Sequence, residues 1–440
     1  MQAKIGLIGA ISTLIGTMVG AAIFILLGPL ADQTGPSLTL SFLLGAIPAL
    51  FGSAYYMQLG SMFPSTGGSY VYASRLLNPT MGIITAFFMI MAGVGAIGML
   101  ALGFVNYLSF FIAGGSQVII AISIVLIFVL VNLYGMKFAN KIQIVMVAWM
   151  LIALLIYIVF GFFYQHSAEF IPIDNGPFLR NGVSGLMMAA VLAFYSYAGY
   201  GLITEIGGEI KNPQKNTPRA ILISLVIVTL IYMGVSYIST SVVSIEDFIS
   251  FTTSLPMAAS LFLPGWVVTF IAIGGLLAIF TTLNAIMLII PHEFVVMAKE
   301  GVVSKHFARK HKSFGTPYLS LLIVNGITIV LIVSGISETV FATMTVAGLL
   351  LSGIVMGMSA LNIFKKMPDL YEKAALRIPK PILIACSFLG IVSSLLFTFL
   401  AVMDAPIVGA MALALAIIGV IYSKIVKVDI LTDSLNKSID

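Results

Sequence analysis

Two pairs of glycines interrupt apolar stretches of this 440-residue chain. Gly16 and Gly20 stand in the middle of one stretch, and Gly199 and Gly201 stand in the middle of another, inside the aromatic run at 197–201. If each pair breaks a helix within a bilayer, it frees backbone N–H and C=O groups that protein, water or a ligand must satisfy. A zwitterionic ligand would meet that need with both of its ends. The alternative is close helix packing, because Gly16 and Gly20 also form a Gly-x-x-x-Gly pattern.

Glu205 is interpreted as the one acid inside an apolar stretch, one turn beyond Gly201. A carboxylate within a membrane is costly enough to indicate a functional role. We expect a role in coupling or gating, either as a proton acceptor or as a contact for a cationic substrate. The alternative is a wet vestibule in which Glu205 pairs with Lys211 or Lys215.

Other catalytic and transport chemistries are disfavoured. Ser184 lies in a Gly-x-Ser-Gly string, but the only nearby base is His166 in a loop, and a nucleophile needs a base within hydrogen-bond reach. The lone Cys386 excludes an intramolecular disulfide and a cysteine-based metal cage. A channel is disfavoured because no filter motif or ring of charged side chains occurs. We therefore predict no enzyme activity, no catalytic residue and no cofactor, apart from the sodium ion considered below.

Composition indicates a polytopic membrane protein. With 60% hydrophobic residues, 8% charged residues and a mean hydropathy of +1.13, the chain has too little polar surface to coat a soluble globule. No loop is long enough for a separate soluble domain, so residues 1–440 are predicted to form one transmembrane domain. Twelve apolar spans are predicted. They lie at 5–31, 38–62, 79–113, 116–135, 141–164, 183–207, 219–242, 264–299, 317–336, 339–363, 380–400 and 405–424.

Basic residues predict the orientation of the chain. If the N-terminus is cytoplasmic, only Arg180 of the 21 basic residues lies outside, as the positive-inside rule requires. We therefore expect a cell-membrane protein with both termini in the cytoplasm and a short tail at 428–440. The basic loops are expected to touch membrane lipid rather than nucleic acid. The sequence does not indicate an oligomeric state.

The two interrupted spans occupy corresponding places in two halves of the chain. The second of them comes five spans after the first, so it enters the membrane from the opposite face. This arrangement is typical of an inverted-topology repeat, with the substrate site where the two broken helices meet. The predicted repeats cover 5–164 and 183–363, and two further helices follow within 380–424.

Several motifs support a family resemblance over about residues 5 to 363. The run from Met62 to Tyr70 and the pair Leu283 and Asn284 match loop and helix signatures. The loop after the sixth span contributes Glu209, Lys211, Asn212, Pro213, Pro218, Arg219 and Ala220. The chain resembles the amino acid–polyamine–organocation transporter superfamily. This resemblance implies the all-α fold of the leucine-transporter type, with discontinuous first and sixth helices.

The resemblance also implies a substrate held by its amino acid backbone. The carboxylate would meet freed amides at Gly20, Ala21 and Ala22, where the helix dipole is positive. The ammonium group would meet carbonyls of residues around the two breaks. These are Gly16 or Thr17 in the first span, and Phe194, Tyr195 and Tyr197, before Gly199, in the sixth. Tyr195 occupies the place of an aromatic gate, and Ala22 departs from the family's glycine, which narrows the space above the carboxylate.

The coupling ion stays open at this point. Proton-coupled relatives carry a lysine in the fifth span where this chain has Met150. Thr281 and Thr282 in the eighth span occupy the place where sodium-coupled relatives have hydroxyl ligands. We therefore hypothesise a sodium site formed by these hydroxyls and the backbone at Gly16 and Val19. The alternative is that the threonines only bond to their own helix.

These expectations converge on a secondary-active amino acid permease that works by alternating access. Neutral amino acids of small to medium size are favoured, because Glu205 is the only charged side chain near the site and aromatic residues crowd it. The alternative is a proton-coupled or exchange-type transporter of cationic amino acids or polyamines that uses Glu205.

Overall fold

The computed structural model describes residues 5–20, 22–63, 67–112, 114–134, 139–167, 176–251, 254–309 and 316–426. Within these ranges the side chains at 22, 134, 139–142 and 209 are not described. The described residues form helices and contain no strand; their one bridge pairs Ile5 with Ile210.

The first half of the chain ends with α8 (Ala139–Gln165). Its helices are α1 (Leu7–Met18), α2 (Ala22–Ile25), α3 (Leu27–Thr34), α4 (Leu38–Met62), α5 (Gly68–Leu76), α6 (Pro79–Leu108), α7 (Gln117–Tyr134) and α8 (Ala139–Gln165). A short 3-10 turn at Gly35–Ser37 links α3 to α4.

The second half begins with α9 (Gly182–Tyr197), which 3-10 turns at Leu202–Glu205 and Gly207–Glu209 follow. The next helices are α10 (Pro213–Val242), α11 (Ile245–Ser250), α12 (Ser254–Ala259), α13 (Gly265–Ile289) and α14 (Pro291–Lys299). A 3-10 turn at Lys305–Ala308 precedes α15 (Tyr318–Val333), α16 (Glu338–Lys366), α17 (Pro368–Glu372), α18 (Lys380–Asp404) and α19 (Pro406–Ile425).

The helices have the lengths that a membrane requires. In the described residues, ten helical stretches are long and apolar enough to cross a bilayer, and two shorter apolar helices lie at Gln117–Leu133 and Tyr318–Val333. The all-α membrane fold is therefore confirmed, while the exact count of twelve spans stays a prediction. The division into inverted repeats also stays a prediction, and the tail at 428–440 lies outside the described residues.

Small residues bring α6 and α16 together at the centre of the bundle. The α6 span is 89% buried. A Cβ atom built on Gly95 would lie 2.6 Å from the Phe341 carbonyl oxygen and 2.7 Å from Thr345 Oγ1. Across the same contact, a Cβ on Gly348 would lie 2.5 Å from the Phe88 carbonyl oxygen. Glycine is therefore required for the two backbones to approach, as small residues commonly allow between membrane helices.

The last two long helices lie at the edge of the bundle. The α18 span is 28% buried and the α19 span is 17% buried, and both present large apolar side chains such as Phe388 and Leu413 to the surroundings. An apolar exterior of this kind suits contact with lipid tails rather than water.

Gly95→Ala is expected to destabilise the protein by about 1–3 kcal/mol, because the new methyl group has no space between α6 and α16. The matched control is Gly326→Ala in α15, where a Cβ atom meets nothing within 4 Å. Thermal unfolding of the purified, detergent-solubilised protein measures both variants. An equal melting temperature for Gly95→Ala and the wild type would contradict the packing described here.

Candidate functional site

The two interrupted helices meet at their breaks. The first ends at Met18 and resumes at Ala22, and the second ends at Tyr197, before a turn that leads into Leu202–Glu205. Gly199 lies in that turn with φ of +114°, a conformation that only glycine adopts without strain. A Cβ atom on Gly199 would lie 2.9 Å from Thr17 Oγ1. The second break therefore packs directly against the last turn of α1.

Tyr232 joins the two breaks from a third helix. Its hydroxyl, on α10, lies 2.7 Å from the Met18 carbonyl oxygen and 2.7 Å from the Ser196 carbonyl oxygen. Both carbonyls belong to helix ends, which lack intrahelical donors. The Tyr232 side chain is completely buried. The sequence analysis missed this residue, because one tyrosine in an apolar span has no local signal that it reaches two distant helix ends.

The first break also contacts α13. Thr282 Oγ1 lies 2.9 Å from the Gly16 carbonyl oxygen and 3.0 Å from the carbonyl oxygen of Ala278 in its own helix. A Cβ atom on Gly20 would collide with Thr282 Oγ1. Gly16 itself lies inside α1, where its lack of a side chain admits Gln143. Gly16 therefore allows close helix packing, whereas Gly20 lies at the helix break. The break and the packing interpretations of the sequence each apply to one of the two glycines.

The hypothetical sodium site is only partly assembled. Thr282 reaches Gly16, but Thr281 Oγ1 donates to the Ala278 carbonyl at 2.9 Å within its own helix. Both hydroxyls therefore already donate to carbonyl oxygens. Neither is a buried polar group without a hydrogen-bond partner, so neither requires a cation. Val19 is fully buried near the break. The sodium site stays a prediction.

A narrow cavity lies between the two breaks and α6, α13 and α16. It encloses about 30 Å³, which is room for one or two water molecules. Of the predicted site residues, Thr17, Tyr195, Gly199 and Thr282 line it. The remaining lining residues are Ala92, Gly93, Ala96, Ala198, Leu202, Ile286, Ile290, Thr345 and Leu349. None of the described lining residues carries a formal charge.

The other predicted site residues lie around the cavity rather than on its wall. They are Gly16, Val19, Gly20, Phe194, Tyr197, Glu205 and Thr281. Ala21 lies outside the described residues, and the side chain of Ala22 is likewise not described. Sequence reasoning missed the small residues of α6, because Ala92, Gly93 and Ala96 read as ordinary packing positions in an apolar span.

Glu205 lies beyond the cavity, at the face of the bundle that carries the start of α1, called here the N-terminal face. Its Oε1 accepts hydrogen bonds from the Ser69 amide at 2.8 Å and the Ser69 hydroxyl at 2.6 Å. Its backbone carbonyl accepts from the Gly67 amide at 3.0 Å. In the described part of the chain Glu205 forms no ion pair with Lys211 or Lys215. Glu205 therefore ties the segment after the break to α5.

A second buried acid corrects the sequence analysis. Glu205 is not the one acid inside a span, because Glu293 lies within the predicted span at 264–299 and is 1% exposed. Its carboxyl faces the carboxyl of Glu205 within hydrogen-bonding reach. The sequence shows this acid, since Glu293 lies two residues after Pro291, at the end of a long apolar run.

Further contacts close the N-terminal face. The Lys211 amide donates to the Ile5 carbonyl at 2.8 Å, which joins the start of α1 to the end of the 3-10 turns. Arg75 on α5 forms an ion pair with Glu300 at 2.9 Å, and the Tyr70 hydroxyl donates to the same carboxylate. These contacts hold α1, α5, the 3-10 turns and the end of α14 together.

The opposite face is closed by contacts between the loop before α9 and the end of α3. Asn181 Nδ2 donates to the carbonyls of Asp32 and Gln33 at 3.0 and 3.1 Å. Arg180 forms an ion pair with Glu246 at 2.9 Å. These contacts hold the segment before α9 against the end of α3 and against α11.

Comparison with known proteins agrees with this architecture. The sequence matches the family described as "Amino acid permease" over residues 5–422. The chain belongs to the amino acid permease family. Members are transporters rather than enzymes, so the expected absence of enzyme activity is confirmed, as is the expected class of multi-pass membrane protein.

Three similar permease-family proteins carry informative names. The branched-chain amino acid permease BcaP of Bacillus subtilis is 25% identical over 376 residues, which cover 81% of this chain and 80% of the relative. The serine/threonine exchanger SteT of Bacillus subtilis is 29% identical over 331 residues, covering 73% and 74%. The vacuolar cationic amino acid transporter 4 of Arabidopsis thaliana is 24% identical over 326 residues, covering 69% and 54%.

Tyr232→Phe is expected to lower the rate of amino acid uptake about 10-fold. Removal of the hydroxyl takes away the one proton that the two buried carbonyls share, at a cost of about 1–3 kcal/mol. The matched control is Tyr237→Phe on the same helix, because Tyr237 is exposed and only accepts a long hydrogen bond from Gln165. Initial uptake rates in proteoliposomes compare the variants. Equal rates for Tyr232→Phe and the wild type would show that the bridge is not required.

Proposed function

We propose that this permease is a secondary-active transporter of neutral amino acids with small to medium side chains. The substrate backbone binds where the two breaks meet, with its ammonium and carboxylate groups on the backbone freed at Gly16 to Ala22 and at 194–199. Its side chain extends toward α6, α13 and α16. The names of BcaP and SteT support this substrate class, since both name neutral amino acids.

The uncharged wall of the cavity is the observation that carries the proposal. Its described lining consists of glycine, aliphatic, hydroxyl and aromatic side chains. A cationic side chain buried there would lose its hydration without gaining a carboxylate partner, which is a large cost. A neutral side chain loses little and gains apolar contact.

The small volume of the cavity supports the size limit. Ile286, Ile290, Leu349 and Tyr195 are among its larger lining side chains. A free amino acid exceeds about 30 Å³, so binding requires these side chains to move apart. Each added methylene in the substrate increases that displacement, and overpacking of this kind is unfavourable.

Cationic substrates are the second candidate, and the name of the Arabidopsis relative favours them. In this structure Glu205 accepts hydrogen bonds from Ser69 and does not line the cavity. A cationic side chain would therefore have to extend past Leu202 to reach the Glu205 carboxyl. This geometry ranks cationic substrates below neutral ones.

Alternating access follows from the contacts at the two faces. We take the N-terminal face as cytoplasmic, in line with the positive-inside rule. Release of Ile5 from Lys211, and of Glu205 from Ser69, would open the cavity to the cytoplasm. Release of Asn181 from the end of α3 would open it to the outside. The two sets of contacts alternate around a fixed site, as in other inverted-repeat transporters.

Counterflow in proteoliposomes tests the substrate class. Vesicles loaded with unlabelled serine or valine are expected to accumulate the corresponding labelled amino acid, and external excess of a neutral amino acid is expected to compete. Excess arginine or putrescine is expected to compete at least about 10-fold less well, because no carboxylate lines the cavity. Stronger competition by arginine than by serine or valine would favour the cationic alternative.

The sodium hypothesis has its own test. It predicts that an inward sodium gradient raises uptake above a choline control at fixed pH, and that Thr282→Val abolishes this stimulation. Thr281→Val should abolish it as well, since both hydroxyls form the hypothetical site. Thr328→Val in α15 is the matched control, because that hydroxyl bonds only within its own helix. Equal uptake in sodium and choline would contradict the hypothesis. Transport would then be driven by a proton gradient or by exchange with another amino acid.

A further inference from the structure

Two buried carboxyl groups lie one turn below the cavity, toward the N-terminal face. Glu205 follows the cavity residue Leu202 by three positions, at the end of its 3-10 turn. Glu293 follows the cavity residue Ile290 by three positions, in the first turn of α14. Each carboxyl group is therefore attached to a segment that also forms part of the cavity wall.

The two side chains are shielded and short of donors. Glu205 is 2% exposed and Glu293 is 1% exposed, and their carboxyl groups face each other within hydrogen-bonding reach. Beyond that contact, Glu205 Oε2 and both carboxyl oxygens of Glu293 have no hydrogen-bond donor in the described part of the chain. Buried polar atoms in proteins are nearly always paired, so this gap calls for an explanation.

The described surroundings supply no ion-pair partner for either carboxylate. The titratable groups that face the pair are the hydroxyls of Tyr56 on α4 and Tyr72 on α5. Among the described residues of α1, α5, α6, α10, α13, α15 and the 3-10 turn at Lys305–Ala308, no lysine, arginine or histidine forms an ion pair with either carboxylate. His292, beside Glu293, is bonded to the Leu288 carbonyl. Two adjacent carboxylates in such a site cannot both stay ionised.

We propose that Glu205 and Glu293 share a single proton and form a proton-binding site that couples the cavity to the N-terminal face. The proposal rests on the proposed function as a transporter. In the proton-bound state the Glu293 O–H donates to Glu205 Oε2, while Glu205 Oε1 keeps its two bonds from Ser69. The 3-10 turn then stays attached to both α5 and α14, and the N-terminal face is closed.

Loss of the proton reverses this arrangement. The O–H bond of Glu293 breaks, the proton passes to water at the N-terminal face, and two negative charges remain in contact. Their repulsion separates Leu202–Glu205 from α14 and admits the water that both carboxylates need. Because Leu202 and Ile290 move with these segments, the cavity opens toward the same face. After substrate release, a proton that reaches the pair from the opposite face closes the N-terminal face again, so each cycle carries one proton inward.

The donor set favours a proton over a metal cation. Ser69 presents an amide and a hydroxyl to Glu205 as donors, and donors repel a cation rather than coordinate it. A hard cation requires about six oxygen ligands, and the two carboxyl groups supply too few. A proton needs only the two facing oxygens.

Infrared difference spectroscopy tests the shared proton without any transport. The purified wild-type protein is expected to show the C=O stretch of one protonated carboxyl group at neutral pH, and this band should disappear on shifting to alkaline pH. Glu205→Gln and Glu293→Gln should each lose the band. The carboxyl group that remains in each variant has a neutral neighbour, so no repulsion between carboxylates keeps it protonated. Glu246→Gln on the opposite face is the matched control and should keep it. A band that persists in both pair variants would overturn the proposal.

Uptake in proteoliposomes tests the coupling. An inward proton gradient is expected to raise accumulation of labelled serine or valine several-fold in the wild type and in the control Glu372→Gln, exposed on α17, and a protonophore should abolish the increase. Glu205→Gln and Glu293→Gln should each lose the increase, since glutamine mimics the protonated group permanently. The proposed coupling would be overturned if the proton gradient did not change accumulation in the wild type. It would also be overturned if both variants kept the gradient-driven increase.

Counterflow at equal pH separates this proposal from the one on which it rests. If the wild type shows no counterflow of neutral amino acids, the proposed substrate class fails, while the infrared band still decides whether the proton is shared. If counterflow is present but Glu293→Gln keeps a full response to the proton gradient, the proposed function stands and the carboxyl pair is not the coupling site.

Discussion

The structure depends on satisfying backbone groups where two helices break inside the membrane. A carbonyl left without a donor in that environment costs about 1–3 kcal/mol, and each break exposes several. Tyr232 and Thr282 meet part of that demand from α10 and α13. The close approach of Gly199 to Thr17 then excludes all but a small volume between the breaks. We propose that the backbone of a substrate pairs with the groups at the breaks that these two side chains do not reach.

The same breaks explain why the acids lie where they do. A helix that stops at Tyr197 and resumes as a 3-10 turn places Glu205 against α5 rather than along a continuous helix face. A helix that ends at Ile289 and restarts at Pro291 turns Glu293 toward the same point. At a separation of about 4 Å, two such charges repel by about 4 kcal/mol even at an effective dielectric of 20. That repulsion is comparable to the contacts that close the face, so one proton can decide between the closed and open states.

The sequence predicts the parts of the site that depend on local backbone conformation. It does not predict the parts that depend on which distant helices pack together. Gly20 and Gly199 are local signals, because a break inside an apolar run needs a residue that tolerates close approach or a positive φ. Tyr232, Ala96 and Thr345 have no such signal, since their roles depend on which distant helices pack beside them. Gly16 was expected at the break but lies within α1, because periodicity cannot separate packing from unwinding. Glu293 was not predicted as part of the site, although it lies within the eighth predicted span. Its contact with Glu205 depends on how distant helices pack.

The two faces of the bundle are closed by different kinds of contact, and this asymmetry bears on how transport is driven. The opposite face is held by amide and carbonyl groups of Asn181 and α3 and by the exposed pair of Arg180 and Glu246. An exposed ion pair contributes about 0–1 kcal/mol and needs no change of protonation to open. The N-terminal face instead includes a buried carboxyl pair whose charge must change before its segments separate. In the proposed mechanism, thermal motion and substrate binding therefore suffice to open one face, whereas release of a proton opens the other.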